Sequence, residues 1–173
     1  MRFLLSFVAS VLAAQPIVRP GPTQQPPFRD DLLEQLVGFW DVTGAVQGQP
    51  VHAHASAEWI LNHQFLRVHR KEVEGPHESL MYIGYDTVSE RYVAHELDTY
   101  GARGSETLGY GIRTGDKIQF VFEYPSGPYH YTMTWDGKEK LWQIVLEFKD
   151  RQGRWTTFST QTLRRIRGRG PSQ

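Results

Sequence analysis

Residues 116–136 read DKIQFVFEYPSGPYHYTMTWD, and apolar and polar side chains alternate along both halves of this stretch. Because successive side chains of a β-strand point to opposite faces, the alternation predicts two half-buried strands. The Pro- and Gly-containing turn at residues 125–127 makes the pair an antiparallel hairpin. Parity places eight side chains on its inner face: Ile118, Phe120, Phe122, Tyr124, Tyr129, Tyr131, Met133 and Trp135.

Segments of the same kind continue on both sides of this hairpin. About ten of them run along the chain, at approximately 38–47, 51–61, 64–74, 79–86, 91–98, 105–113, 116–124, 128–136, 140–149 and 154–163. Short turns join them, which is typical of an up-and-down meander, and closure of such a sheet removes its exposed edges. The sequence therefore predicts an all-β protein, a single up-and-down antiparallel β-barrel of about ten strands. Residues 29–37 predict a short amphipathic helix that caps one end of the barrel.

The two ends of the chain differ from this central part. Residues 1–14 have the layout of a secretory signal peptide, because Arg2 precedes an apolar run that ends in two alanines. Residues 15–28 hold five prolines and predict a disordered linker, residues 29–165 form the barrel domain, and residues 166–173 are expected to be a basic disordered tail. Because the signal implies export and the chain has no cysteine, we expect a periplasmic or secreted bacterial protein.

These features also bear on partners. The apolar run of the signal is too short to cross a bilayer, so no membrane span is expected. The basic residues gather in the tail and not on the fold, which argues against a nucleic-acid partner.

Two turns test the register of the early strands. If residues 47–50 form a tight loop, Val42 lies opposite Ala55, and Trp40 lies opposite Ala57. A turn at residues 62–63 sets Trp59 against Leu66. Both turns leave the same face apolar across three strands, as expected for a sheet with one buried side.

The interior of the barrel can be filled or hollow. Large inner side chains on the later strands face small ones, such as Ala55, on the early strands. A barrel of about eight to ten strands is the size at which a small ligand can enter. The residues that we expect to contact such a ligand are Trp40, Ala55, Trp59, His95, Phe120, Phe122, Tyr131 and Trp135.

His95 is the polar member of this set. It stands between Val93 and Leu97, on the side that parity assigns to the interior, and it is expected either to meet the ligand or to be a core histidine with a hydrogen-bond partner. Glu96 and Asp98 lie on the opposite face of the strand and are expected to be solvated.

A second group of histidines lies on the predicted outer face. His52 and His54 share one face of a strand, and the register brings His69 diagonal to His54. Two histidines at this spacing with a third nitrogen can ligate zinc, copper or iron(II). The alternative is the solvated outside of the barrel, where Glu58 pairs with Arg67 across the strands.

Several short motifs resemble those of a known family. They are Leu36, Gly38 and Trp40 with G-x-W spacing, the run from Glu58 to Leu61 leading into Phe65 and Leu66, the turn at Gly84, Tyr85 and Asp86, and then Tyr92, Asp98 and Gly101. In these features the chain resembles the bacterial family DUF1579, a calycin-type barrel related in shape to lipocalins, fatty-acid-binding proteins and nitrobindin.

The resemblance implies a cup for a small, largely apolar molecule, and an arginine late in the last strand, Arg164 or Arg165, packed on Trp40. Nitrobindin-like relatives hold haem through a histidine near the C-terminal strand. This sequence has no histidine after His130, so only His95 or His130 could substitute.

The leading hypothesis is an exported protein that binds a small apolar ligand inside the barrel. No catalytic motif is present, and no cofactor is predicted. The alternatives are an enzyme that uses haem or a transition metal on the barrel histidines, and a partner-binding module with a filled barrel. The oligomeric state is left open, with a homodimer as one option.

Overall fold

A computed structural model describes residues 25–166. The strands and helices, in chain order, are α1 (Asp31–Glu34), β1 (Gly38–Val46), β2 (Gln49–Ile60), β3 (Phe65–Glu72), β4 (Glu78–Asp86), β5 (Arg91–Asp98), α2 (Ala102–Ser105), β6 (Leu108–Thr114), β7 (Lys117–Tyr124), β8 (Gly127–Asp136), β9 (Leu141–Lys149) and β10 (Trp155–Arg165). The predicted signal peptide, the linker up to residue 24 and the tail from residue 167 lie outside the described residues.

The ten strands form a closed antiparallel barrel in which each strand pairs with its neighbours in sequence and β10 pairs with β1. Trp40 lies opposite Arg165 at this closing seam. The predicted fold class is confirmed, and every predicted strand lies within three residues of an observed one at each end. Within the described residues, no helix is long and apolar enough to cross a membrane.

Of the two register predictions, the one for β2 with β3 is confirmed and the one for β1 with β2 is wrong. Trp59 lies opposite Leu66, as expected. The prediction for β1 and β2 was wrong by two residues, since Trp40 lies opposite Ala55 and Val42 opposite Ala53. Gln47 and Gly48 form a two-residue turn between the strands. Their φ angles of 49° and 78° are the left-handed values that such a turn requires. A shift of two residues preserves the face of each side chain, so the inner set is unchanged.

The α1 end of the barrel is closed. Helix α1 has one turn and is shorter than the predicted segment 29–37, but Leu32, Leu33 and Leu36 are buried as its sealing face. Asp30 caps the helix by accepting a hydrogen bond from Leu33 N at 2.7 Å, and the Tyr92 hydroxyl donates to the same carboxylate. These bonds fix α1 to strand β5.

Residues 25–28, within the predicted linker, lie against the barrel near this end. Phe28 N donates to the His63 carbonyl at 3.1 Å, and the Phe28 ring stacks on Tyr85 with centroids 5.3 Å apart. Phe28, the last residue of the predicted linker, is thus packed against the barrel.

Large side chains fill the lower half of the lumen, the half next to α1. Trp40 and Trp142 are fully buried, and Trp135 contacts both indole rings. Gly109 and Gly111 on β6 leave room for Phe122 and Phe120, because a Cβ atom at either glycine would lie within 2.6 Å of the ring opposite. The core therefore lies between α1 and the middle of the barrel.

Candidate functional site

The upper half of the lumen, at the end opposite α1, holds a cavity of about 550 Å³. This volume is within the range of small-molecule pockets. We call this end, where β1 joins β2 and β7 joins β8, the open end, because Gln49, Pro50 and Tyr100 at the cavity rim are exposed to solvent. The hollow alternative of the sequence analysis is the one found.

One wall of the cavity is polar. Arg70 on β3 extends inward, and its Nη1 lies 2.8 Å from Nδ1 of His77. Its Nη2 lies 3.5 Å from Oε1 of Glu72, and both side chains are largely buried. The Arg70 Nε is buried without a hydrogen-bond partner among the described residues.

Glu96 on β5 is the most deeply placed acid of this wall. It lies opposite Met81, and the surface left to it faces the cavity. Burial raises the pKa of Glu96 to about 7, and the neighbouring charge of Asp98 acts in the same direction. Ser79 and Arg70 favour the ionised form, but their effect is smaller than the cost of burial.

The opposite wall is aromatic. Tyr124, Tyr129 and Tyr131, from β7 and β8, line the cavity. Burial raises the pKa of all three phenols, and the charge of Glu96 raises them further. The Tyr124 hydroxyl donates to the Gly104 carbonyl at 2.8 Å. Glu96 therefore faces a group of phenol rings across the cavity.

The sequence prediction for His95 was wrong about the face of the strand. His95 lies opposite Tyr82 and Leu108 on the outer side of β5, and its Nε2 is 2.8 Å from the Ser105 carbonyl of α2. Its neighbours Ala94 and Glu96 face inward instead. The apolar residues at 93 and 97 gave the false inner face, although Leu97 is 40% exposed on the outer side of the barrel.

The other residues predicted to contact a ligand divide into three groups. Ala55 and Tyr131 lie on the cavity wall. Phe120 and Phe122 are buried beneath it, against the β6 glycines. Three tryptophans lie at the α1 end: Trp40, Trp59, whose ring stacks on His63 at 4.1 Å, and Trp135.

Sequence reasoning missed Arg70 and Glu72 as cavity residues, and its expectation that Glu96 and Asp98 are solvated on the outer face was wrong. A signal for Glu96 was present, because the tight turn after Asp86 pairs β5 with β4. Once Ile83 is placed inward opposite Leu66, the same register puts Ala94 and then Glu96 inward. The pattern of β5 alone, with apolar residues on both faces, does not decide this.

The outer-face histidines His52 and His54 meet an acid from the neighbouring strand, Asp41 of β1. Ligating atoms of Asp41, His52 and His54 lie within 4.8 Å of one another, and His52 Nε2 is 2.7 Å from Asp41 Oδ1. About half of each imidazole is exposed. His69 does not join them, because its Nε2 lies 2.6 Å from Glu78 Oε1. The predicted pair of Glu58 and Arg67 is present.

Neither of the histidines considered as a haem ligand, His95 and His130, lines the cavity. Of the described histidines only His77 lines it, and its Nδ1 is already engaged by Arg70. His130 lies on the outside of β8, where its ring stacks on Trp155 with centroids 3.5 Å apart. His95 is also outside.

Comparison with known proteins gives no assignment: no family model matches the chain, and no curated protein matches it. The class is therefore defined by the fold and the cavity alone, a closed ten-stranded antiparallel barrel with one sealed end and one open end.

Proposed function

We propose that this protein binds a small amphipathic molecule in the cavity at the open end of the barrel. The observation that carries this proposal is the cavity of about 550 Å³, which coexists with a densely packed lower half. Pockets for small molecules are mostly apolar with a few convergent polar groups. Here Ile144, Leu146 and the tyrosines provide the apolar surface, and the Arg70 and Glu96 wall provides the polar groups.

A neutral fluorescent probe tests this proposal. N-phenyl-1-naphthylamine brightens in apolar surroundings, and we expect saturable enhancement with the wild-type protein. Ala55→Leu fills part of the cavity and should weaken probe binding at least tenfold, while Ser56→Leu, on the outward side of the same strand, should leave it unchanged. Equal binding by both variants would place the probe elsewhere and contradict the proposal.

We also propose that the protein acts outside the bacterial cytoplasm, as residues 1–14 suggest. Expression of the full chain in a bacterial host should give a periplasmic product whose intact mass corresponds to cleavage near Ala14. A product that keeps Met1 in the cytoplasmic fraction would contradict this. The relation to calycin-type barrels is likewise a proposal, supported by the packing of Arg165 on Trp40.

A second candidate function, binding of a divalent transition metal on the outer face, is favoured by the cluster of Asp41, His52 and His54. Two imidazoles and a carboxylate suit zinc or cobalt(II). Cobalt(II) titration followed by absorption should show a one-to-one complex that His54→Gln abolishes. His69→Gln is the matched control and should retain it, because His69 is paired with Glu78. Retention of the complex in His54→Gln would overturn this candidate.

A further inference from the structure

The charged groups of the cavity do not balance. Among residues 25–166, its wall carries three carboxyl groups, those of Glu72, Glu96 and Asp98, against one guanidinium, that of Arg70. Unpaired charges are costly to bury, so an acidic cavity favours an occupant that supplies positive charge.

The single guanidinium is already engaged. Arg70 contacts Glu72 at 3.5 Å and His77 at 2.8 Å. Because arginine only donates hydrogen bonds, Nδ1 of His77 is the acceptor in this contact, which leaves Nε2 to face the acids of the wall. That Nε2 lies 3.9 Å from Asp98. The guanidinium of Arg70 is therefore already shared between two cavity residues, Glu72 and His77.

Two acids are left over: Asp98, whose Oδ1 already accepts a hydrogen bond from Tyr100 N at 2.8 Å, and Glu96. Glu96 faces the cavity between Ser79 and Asp98 on one side and the tyrosines of β7 and β8 on the other. Phenol rings present a negative face to a cation, and such contacts strengthen when they are shielded from water. A carboxylate on one wall and aromatic rings on the other are together suited to a positively charged nitrogen.

We propose that the occupant is a small organic cation, an amine with an apolar or aromatic body, whose nitrogen lies between the Glu96 carboxylate and the rings of Tyr129 and Tyr131. This inference rests on the proposed function and specifies its ligand class. The amine donates to Glu96, and its body contacts the apolar strip formed by Ile144 and Leu146.

A matched set of three probes tests the charge. Tryptamine, tryptophol and indole-3-propionate share an indole body and differ in a terminal ammonium, hydroxyl or carboxylate. Each is titrated by calorimetry at pH 8 into the full-length mature protein, and its displacement of N-phenyl-1-naphthylamine is followed in parallel. We expect tryptamine to bind at least tenfold more tightly than tryptophol, and indole-3-propionate to bind most weakly.

Glu96→Gln keeps the shape of the side chain and removes its charge. This variant should reduce the affinity for tryptamine at least tenfold and leave that for tryptophol within twofold. The matched control is Glu123→Gln on the outer face of β7, which should behave as the wild type.

Should Glu96→Gln fail to fold, the wild type itself provides the second test. The tryptamine affinity should fall between pH 8.5 and pH 5.5 as Glu96 takes up its proton, whereas the tryptophol affinity should stay constant. The other ionisable groups that face Glu96 are Arg70 from β3, Asp98 from β5, and the phenols from β7 and β8.

The outcomes separate the two proposals. Equal affinities for tryptamine and tryptophol, or tightest binding of indole-3-propionate, overturn the cationic ligand while the cavity remains a binding site. Failure of all three indoles to displace a bound naphthylamine probe also overturns it. Absence of binding by the naphthylamine itself overturns the proposed function as well.

Discussion

The guanidinium of Arg165 lies over the indole ring of Trp40, with its Cζ 4.4 Å from the ring centroid. Its two terminal nitrogens donate to the carbonyls of Val37 and Gln35 at 2.7 and 2.8 Å, and the indole Nε1 donates to the Leu36 carbonyl at 2.6 Å. The last strand is thereby tied to the turn that follows α1.

Replacement of Arg165 should weaken this closure. We expect Arg165→Ala to lower the free energy of unfolding by about 1–2 kcal/mol, since it removes a cation–π contact and two charge-assisted hydrogen bonds at a partly exposed position. Urea unfolding followed by tryptophan fluorescence measures the change. Arg164→Ala is the control on the outer face and should stay within about 0.5 kcal/mol of the wild type. Equal effects of the two substitutions would contradict the structural role of Arg165.

The β6 glycines give a second prediction. A Cβ atom at Gly111 would lie 2.6 Å from Cδ1 of Phe120, so Gly111→Ala forces the ring to move. Overpacking of this kind typically costs about 1–3 kcal/mol. Thermal unfolding of Gly111→Ala should show the loss, and the added change Phe120→Leu should recover part of it.

Gly137→Ala serves as the control for this pair. A Cβ atom there would meet its nearest neighbour, Trp135 Nε1, at an ordinary 3.5 Å. We expect little change in its unfolding temperature. A Gly111→Ala variant as stable as Gly137→Ala would mean that Phe120 does not occupy the space above β6.

Glu96 predicts an unusual dependence of stability on pH. Its pKa rises from 4.5 in the unfolded chain to about 7 in the barrel, so between these values the folded state holds a proton that the unfolded state has released. The contribution of Glu96 to the free energy of unfolding is therefore fully present below pH 4.5. It is lost as the pH rises through 7, and the total loss is about 3 kcal/mol.

The difference between wild type and Glu96→Gln isolates this contribution, because all other ionisable groups are common to both. Urea unfolding at pH 5 and pH 8 measures the free energy of unfolding of both proteins. The value for Glu96→Gln should rise relative to that of the wild type as the pH rises. Arg113 lowers the pKa of Asp31, and His69 with Lys71 lowers that of Glu78. These two carboxyl groups change stability at lower pH, and their effects are the same in both proteins. Parallel pH profiles for the two proteins would show that Glu96 is ionised in the folded state throughout.

The attachment of α1 rests on a buried hydrogen bond from Tyr92 to Asp30. Tyr92→Phe leaves that carboxylate with one donor fewer and should cost about 1–2 kcal/mol. Tyr110→Phe is the control, because Tyr110 lies on the outer face beneath Arg91 and its ring contact is kept. Equilibrium unfolding measures the stability of both variants. Equal losses of unfolding free energy would contradict a specific role for the Tyr92 hydroxyl.

The fold was predictable because two patterns agreed. The period-2 alternation located each strand, and turn residues such as Asp86 and Gly153 located the connections. The register of β2 with β3 followed from one turn, but that of β1 with β2 did not, since residues 47–50 fit both a two-residue and a four-residue loop.

The site was harder to predict because it depends on which face of β5 turns inward. His95 and Glu96 are adjacent, so an error of one residue in parity exchanges an outer histidine for a buried acid. Whether bulky rings fill a lumen also depends on height along the barrel axis. Trp40 and Trp135 belong to the α1 end and Tyr131 to the cavity, a distinction that the inner-face pattern alone does not make.

The pairing of β10 with β1 has a consequence for how the chain reaches its native state. Strand β1 is synthesised before the rest of the barrel, yet one of its two partners, β10, is the last barrel strand in chain order. Until β10 arrives, the growing sheet keeps an open edge of unpaired backbone groups, which is the kind of surface that recruits other nascent chains. The pairing of β10 with β1 is thus the step that removes the last open edge of the sheet.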